Sequence, residues 1–367
     1  MKVLLLSDPG SIHTIRWGNA LSQRGIEVGI FGYSPYDPRD YDTQTKIFSE
    51  NFQSRSILDK AKYLTLMGKL KRVIAGFSPD LVHAHYGSSY ALLGNLSGFQ
   101  PFIISVWGTD VYEFPKKNML FKYILKRNLA AAKRILSTSS AMAEETRKYM
   151  KANRKIDVTP FGIDVEVFRK KATARPTGIV TVGTIKTLSR NYGIDLLIMA
   201  FNEVRKKCPA LGLKLVIGGD GEDRDYLMSL TRQLNIQNTV EFLGKIEHAK
   251  VPDILNSLDI FVALSFSESF GVAVIEASAC ELPTVVSDAG GLPEVVDDNR
   301  TGFVVPIGDY KMAAAAIERL ALDEGLRAKM GKAGNEKVRK FYDWNKNVSR
   351  VIEIYHEVLR AERKLLL

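Results

Sequence analysis

The sequence has few cysteines and no long apolar run. Its 367 residues include only Cys208 and Cys280, which are too few for a disulfide framework and lack the spacing of a metal site. No apolar run approaches the ~20 residues that a membrane-spanning helix needs. The four apolar residues before Ser7 are also too few for a signal peptide, so we expect this segment to form the first strand. These absences favour a protein of the reducing cytoplasm.

Acidic residues are scarce in the first half of the chain. Residues 1–160 hold 23 Lys and Arg against 13 Asp and Glu, whereas residues 161–367 hold 28 of each, so the first half carries the whole net charge of +10. An anionic bilayer, a phosphorylated substrate, nucleic acid or simple solubility would each explain this excess. The sequence has no aromatic platform or motif typical of nucleic-acid binding, and we therefore expect no nucleic-acid partner.

Short apolar runs alternate with helical periods along the whole chain, as in residues 16–24 and 58–75. One series extends from KVLLLS to KIDVTPFG, and a second starts afresh at GIVTVGTI and ends at GFVVP. This alternation predicts an α/β protein with two doubly wound parallel sheets, joined by linker-like residues 160–164 and 170–178. The first loop, residues 7–17, lacks the G-x-G-x-x-G pattern, which argues against a dinucleotide-dependent dehydrogenase.

The stretch SESFGVAVIEASACELP places two carboxylates around one predicted helix. Glu276 stands in an apolar run, where an unpaired carboxylate costs several kcal/mol, so it requires a partner. Either the vicinal hydroxyls of a ribose or a lysine would satisfy it. Glu268 lies near the helix start, where the helix dipole favours an anion, and it either contacts a ligand or only caps the helix. Gly271 would let a ligand approach the free backbone N–H groups.

The same stretch resembles the retaining glycosyltransferases of family 4, whose strongest motif is two glutamates separated by seven residues. The similarity extends over residues 218–227, 240–246, 273–296 and 299–309. It implies the GT-B fold, in which two Rossmann-like doubly wound domains face each other across a cleft. The implied domains are an acceptor-binding domain at 1–164, a nucleotide-sugar-binding domain at 165–345, and a helix at 346–367 that returns to the first domain.

The resemblance assigns donor-binding roles to residues of both domains. Glu276 would bind the ribose of a nucleotide-sugar, and Glu268 would contact the transferred sugar as a catalytic residue. Thr184 occupies the position of the usual arginine, so Lys186 and Arg190 are the cations that remain for the diphosphate. The other implied donor-binding residues are Gly10, Ser11, Gly219, Phe270 and Gly271.

Three loops of the first domain carry further candidates. His13 either faces the cleft as a catalytic residue or caps its helix. His83 and His85 alternate along a strand and should share a face. The segment SVWGTDV resembles a family loop, but Trp107 stands where many members have histidine, so the role of that histidine is not carried over. Asp110 remains to orient the acceptor or to support the loop.

The resemblance therefore implies a retaining transferase that moves a hexose-type sugar from a nucleoside-diphosphate sugar to a saccharide or lipid-linked hydroxyl acceptor. We expect UDP as the first candidate for the nucleotide and GDP as the second. Asp-x-Asp triplets at 40–42 and 223–225 resemble a motif of metal-dependent transferases, but chance explains them better. We therefore expect no metal and no cofactor. A nucleotide-sugar epimerase and a non-catalytic nucleotide-sugar-binding protein are the alternatives. The basic segment 115–136 is either a contact with anionic membrane at the inner face or an ordinary domain helix.

Overall fold

A computed structural model of the chain describes residues 1–49, 60–172 and 178–366, with only the backbone of residues 60–65, 365 and 366. The predicted helix 58–75 and linker 170–178 therefore lie partly outside the described residues. The first sheet contains seven strands: β1 (Lys2–Leu6), β2 (Glu27–Gly32), β3 (Lys46–Ser49), β4 (Leu81–His85), β5 (Phe102–Val106), β6 (Arg134–Ser137) and β7 (Ile156–Val158). Its helices are α1 (Ile12–Ser22), α2 (Lys60–Phe77), α3 (Ser89–Ser97), α4 (Thr109–Tyr112), α5 (Met119–Ala131) and α6 (Ser140–Arg147).

The second sheet contains six strands: β8 (Ile179–Ile185), β9 (Gly212–Gly218), β10 (Val240–Gly244), β11 (Ile260–Ala263), β12 (Thr284–Ser287) and β13 (Gly302–Val305). Its helices are α7 (Ile194–Lys207), α8 (Arg224–Gln233), α9 (Val251–Asn256), α10 (Val272–Ala279), α11 (Leu292–Val295), α12 (Tyr310–Leu322) and α13 (Glu324–Phe341). A final helix, α14, spans Trp344–Leu366.

Both sheets are parallel, and each reverses its strand order once. The first has the order β3-β2-β1-β4-β5-β6-β7 and the second the order β10-β9-β8-β11-β12-β13. The strand order reverses between β1 and β4 in one sheet and between β8 and β11 in the other, and ligands bind at such switch points in doubly wound sheets. The loops that follow these four strands are therefore where a site is expected.

The central strands are buried because helices cover both faces of a parallel sheet. All five residues of β4 and all five of β5 are buried, and the apolar side chains of each sheet pack into a separate core. The predicted two α/β sheets are confirmed, whereas the edge strand β3 was missed. Its short sequence KIFS has only two apolar residues and is partly exposed throughout, so it lacks the continuous apolar run of the central strands.

The residues group into two compact units, Met1–Pro160 with Asn347–Leu367, and Phe161–Lys346. Most of α14 therefore packs with the first sheet. Tyr355 is fully buried in that unit, and its hydroxyl lies 2.7 Å from Nδ1 of His83 on β4. The last helix thus supplies a polar contact to the centre of the first unit.

Candidate functional site

Lys186 and Glu268 meet at the switch point of the second sheet. Lys186 follows β8, and its backbone N–H donates to the carbonyl of Gly218 at the end of β9. Its Nζ lies 2.6 Å from Oε2 of Glu268 and 4.5 Å from the centre of the Tyr192 ring. The two charged side chains are only 18% and 13% exposed, so the pair is largely shielded from water. A cation and a carboxylate are therefore held together where a ligand would bind.

Glu268 does not cap the following helix, so that alternative is wrong. The N-cap of α10 is Gly271, whose φ of +106° favours glycine, and no side chain caps this end. The helix itself begins at Val272. Phe270 is buried, and its ring packs edge-on against Tyr342.

Glycines shape the two loops that carry the pair. A Cβ at Gly219 would lie 1.8 Å from the carbonyl oxygen of Lys186, and one at Gly290 would lie 2.0 Å from that of Glu268. The N–H of Gly291 also donates to the Glu268 carbonyl at 2.9 Å. Gly219 thus contacts the Lys186 loop directly, and a role at the donor remains a prediction. The sequence did not predict that Gly290 and Gly291 support the loop of Glu268, although both lie in the segment 273–296 that resembles the family.

Glu276 lies on the second turn of α10 and is 7% exposed. The ring of His248 lies beside this carboxylate: its Nε2 is 3.5 Å from Oε1 of Glu276, and its side chain is 58% exposed. Within the described residues, no lysine pairs with Glu276 and no group donates a hydrogen bond to its carboxylate at normal distance. The lysine-paired alternative is therefore wrong. The sequence did not predict a contact with His248, although this residue lies in the loop after β10, at the carboxyl end of the strand.

Arg190 occupies a different position from Lys186. It is exposed in a 3₁₀ turn and lines a cavity of about 220 Å³ together with Asp195, Asp223 and Tyr226. The structure therefore brings Lys186 to Glu268 and places Arg190 beside the starts of α7 and α8. A diphosphate role for either cation remains a prediction.

In the first unit, the loop after β1 makes a tight turn. A Cβ at Gly10 would lie 2.5 Å from the carbonyl oxygen of Pro35, and the Gly10 N–H donates to Oδ1 of Asp8. Ser11 is the N-cap of α1, so His13 does not cap the helix and that alternative is wrong. The His13 ring instead lies edge-on to Trp107, with 5.7 Å between the ring centres.

His83 and His85 share one face of β4, as the alternation predicted. Their ring centres are 4.8 Å apart, and both side chains are buried. Nε2 of His83 lies 2.8 Å from the Ser105 hydroxyl, and Nδ1 of His85 lies 2.9 Å from that of Ser7. Burial lowers the pKa of His83 to about 3 and the pKa of His85 well below its usual value, so both rings are neutral.

Trp107 and Asp110 fix the loop after β5. Trp107 is buried and packs against His85, with 4.4 Å between ring centres. The Asp110 carboxylate accepts the backbone N–H groups of Gly87, Gly108 and Trp107 at 2.6, 2.8 and 3.2 Å. Burial raises the pKa of Asp110, an effect that these hydrogen bonds oppose. Its oxygens therefore support the loop, and an acceptor contact remains a prediction.

The described ranges contain no group of three or more His, Cys, Asp or Glu side chains arranged to hold a metal ion. Within the same ranges, no helix combines the length and apolar character that crossing a bilayer requires.

Two family models match the two halves of the chain. The model of glycosyl transferases group 1 matches residues 166–337, and a glycosyl transferase 4-like model matches residues 2–139. N-acetyl-alpha-D-glucosaminyl L-malate synthase of Bacillus anthracis is 27% identical, covering 94% of this chain and 93% of its own. A D-inositol 3-phosphate glycosyltransferase of Saccharomonospora viridis is 29% identical, covering 64% and 58%.

Solved structures share the fold across nearly the whole chain. Sucrose-phosphate synthase from Thermosynechococcus elongatus superposes with a TM-score of 0.82 at 22% identity, covering 98% of this chain and all of its own. HepE from Anabaena, solved with UDP, has a TM-score of 0.80 at 18% identity, covering 97% and 100%. The fold is thus GT-B. The chain belongs to the family of group 1 glycosyl transferases, which are of the family-4 type, and it is a glycosyltransferase.

Proposed function

We propose that this glycosyltransferase moves a hexose-type sugar from a nucleoside-diphosphate sugar to a hydroxyl acceptor with retention of configuration and without a metal. UDP is the favoured nucleotide and GDP the second. The second unit binds the donor and the first binds the acceptor. The relatives named above are transferases or synthases by name, which favours transfer over the epimerase and non-catalytic alternatives.

The observation that carries this proposal is the state of Glu276. A carboxylate has two oxygens that together accept about four hydrogen bonds. Glu276 is buried beside the carboxyl ends of the strands, and within the described residues the polar side chain paired with it is that of His248, which is 58% exposed and lies 3.5 Å away. Leaving such a group unsatisfied is costly, whereas two vicinal hydroxyls would donate to both oxygens at once. A ribose provides that pair of donors.

The Lys186–Glu268 pair supplies the charges that the reaction needs. When the bond between the anomeric carbon and the diphosphate oxygen breaks, negative charge accumulates on the diphosphate, and positive charge develops on the sugar ring. Lys186 would stabilise the first charge and Glu268 the second. The acceptor oxygen forms the new bond on the face that the diphosphate leaves, and the departing diphosphate takes up the proton that the acceptor hydroxyl loses.

The biological setting that we propose is the synthesis of a polysaccharide, a lipopolysaccharide or another glycoconjugate on saccharide or lipid-linked acceptors. Helix α5 exposes Met119, Leu120 and Tyr123, which are 78%, 57% and 58% exposed, beside Lys122 and Lys126. Apolar side chains next to cations suit contact with an anionic membrane surface. Co-sedimentation with anionic but not with zwitterionic vesicles would support this peripheral contact, and equal sedimentation with both would refute it.

Thermal unfolding in the presence of UDP-, GDP-, ADP- and dTDP-sugars tests the donor assignment, since a bound ligand raises the melting temperature. Replacing Glu276 by alanine should weaken binding of the stabilising donor by about 2–4 kcal/mol. Glu318→Ala on α12 is the matched control and should bind the donor normally. Unchanged donor affinity in the Glu276 variant would refute the ribose assignment.

A further inference from the structure

The first unit contains a cavity of about 450 Å³ at the carboxyl end of its sheet. Residues that follow β1, β2, β4 and β5 contribute to it, so it lies beside the switch point of this sheet. The side chains that matter are Asp8, Tyr33, Tyr86, Tyr90, Glu113 and Lys117. Its volume lies within the usual range of about 300–1,000 Å³ for small-molecule sites.

Tyrosine rings line one part of this cavity. Tyr33 and Tyr90 are stacked, with 4.8 Å between ring centres and 19° between ring planes. Tyr86 joins them directly after β4, in the left-handed region with a φ of +76°. Tyrosine combines a flat apolar face with a hydroxyl at its edge. A sugar ring has a matching surface, with C–H groups on its face and hydroxyls around its rim.

The side chain of Tyr90 is enclosed in this unit. It is only 4% exposed, and Tyr33 and Ser34 lie close enough to its hydroxyl to influence the pKa of Tyr90. Burial raises the pKa of Tyr90 far above its usual range, so the group stays a neutral phenol. Because Tyr90 lines the cavity and is stacked on Tyr33, it presents a fixed aromatic ring to a ligand placed there.

The cavity is lined by more acidic than basic side chains, although residues 1–160 as a whole contain an excess of basic residues. Its lining includes the carboxylates of Asp8, Asp110 and Glu113 against the single ammonium of Lys117. Asp110 is occupied by backbone N–H groups, whereas the Asp8 carboxylate accepts, among the residues that the structure describes, only the Gly10 N–H, at Oδ1. Glu113 is exposed and forms no ion pair within the described part of the chain. Such carboxylates accept hydrogen bonds from hydroxyls and repel anions.

We propose that this cavity binds the acceptor as an uncharged saccharide and discriminates against anionic acceptors. The inference rests on the proposed function and narrows its acceptor to one chemical class. It also separates this chain from the two relatives above, whose names refer to L-malate and inositol 3-phosphate, both of which are anions. The excess of basic residues elsewhere in residues 1–160 then has no part in acceptor choice.

Binding to the full chain tests the proposal directly. Saturation-transfer NMR would compare methyl glycosides of glucose, galactose, mannose and N-acetylglucosamine with glucose 6-phosphate, L-malate and D-inositol 3-phosphate. At least one neutral glycoside should bind about fivefold or more tightly than every anionic probe. Equal or tighter binding of an anionic probe would overturn the proposal, as would the absence of neutral-sugar binding at the highest soluble concentration.

Two pairs of variants locate the bound sugar. Tyr33→Ala should weaken neutral-sugar binding about tenfold, whereas Tyr33→Phe, which keeps the ring, should retain most of it. Glu113→Lys should weaken neutral-sugar binding and strengthen binding of glucose 6-phosphate, whereas Glu144→Lys, at another exposed glutamate of the same unit, should change neither. Because Glu113 is exposed, this second pair keeps the test valid even if Tyr33→Ala fails to fold. Unchanged binding in the Glu113 variant contradicts the cavity assignment.

The outcome separates this inference from the proposed function. If neutral sugars bind in the cavity but no nucleotide-sugar yields a transfer product, the proposed function is wrong and a saccharide site remains. If transfer occurs only to anionic acceptors, the proposed function stands and the acceptor assignment is wrong.

Discussion

Each of the two sheets places a buried carboxylate near its switch point, and the two carboxylates have different surroundings. Asp110 in the first unit accepts three backbone N–H groups and joins the loops that follow β4 and β5. Glu276 in the second unit has His248 at 3.5 Å and accepts no hydrogen bond within the described residues. Backbone N–H groups satisfy the Asp110 carboxylate, whereas the Glu276 carboxylate can still accept hydrogen bonds. Burial alone therefore does not distinguish a structural carboxylate from a binding one, and the partners of its oxygens do.

Separating the Lys186–Glu268 pair should have the largest effect. Lys186→Met and Glu268→Gln should each lower kcat by about 10²–10³, because each removes a charge that stabilises the transition state. Steady-state transfer assays with the donor that stabilises the protein would measure this loss. Lys214→Met is the control, since Lys214 also lies 2.6 Å from a glutamate, Glu241, but both of these side chains are about half exposed. Equal losses in the two lysine variants would contradict a catalytic role for Lys186.

Replacing the two carboxylates tests the comparison itself. Asp110→Ala leaves three buried N–H groups without their acceptor and should lower the free energy of unfolding by about 3 kcal/mol. Glu276→Ala should change it by less than about 1 kcal/mol, because no hydrogen bond is lost. Urea unfolding measures both values. Asp80→Ala, which removes an exposed acceptor for the Lys2 N–H, controls for the loss of a single surface bond. A similar destabilisation of the Asp110 and Glu276 variants would remove the distinction between them.

Acid should destabilise the first unit through its histidine pair. Because burial lowers the pKa of His83 to about 3, and that of His85 also falls, the unfolded chain binds more protons below about pH 6.5. Stability is then lost as the pH falls, by about 2–3 kcal/mol between pH 7.5 and 5.5 for the two groups. His83→Gln should roughly halve this loss in urea unfolding. His356→Gln, at an exposed histidine of α14, should leave it unchanged, and an equal effect of both variants would contradict the argument.

His248 should contribute least. Its side chain is 58% exposed and its nitrogen lies 3.5 Å from Glu276, a geometry that is worth under about 1 kcal/mol. His248→Gln should therefore change donor affinity by less than about threefold, as measured by titration calorimetry. A loss as large as that of Glu276→Ala would mean that the histidine, rather than a ribose, is the main partner of this carboxylate.

The sequence allowed the fold and the central motif to be predicted, because both depend on local patterns. Apolar runs identified the strands of both sheets except β3, and the apolar neighbours of Glu276 predicted its burial. The contact of Lys186 with Glu268 was not predicted, since it joins residues 82 positions apart. The tyrosine cavity was missed for the same reason: Tyr33, Tyr86 and Tyr90 come together only when separate strands pair. His248 has no sequence signal beyond its place after a predicted strand.

The contact between Tyr355 and His83 has a consequence for the order of folding during synthesis. The first unit is discontinuous, because its last segment is translated after the whole of Phe161–Lys346. The second unit can form its own core as soon as it leaves the ribosome. By contrast, His83 on β4 can make its contact with Tyr355 only after α14 has been synthesised. The first unit is thus begun before Phe161 and completed only after Lys346, and until then the apolar surface that α14 covers stays exposed to non-native contacts.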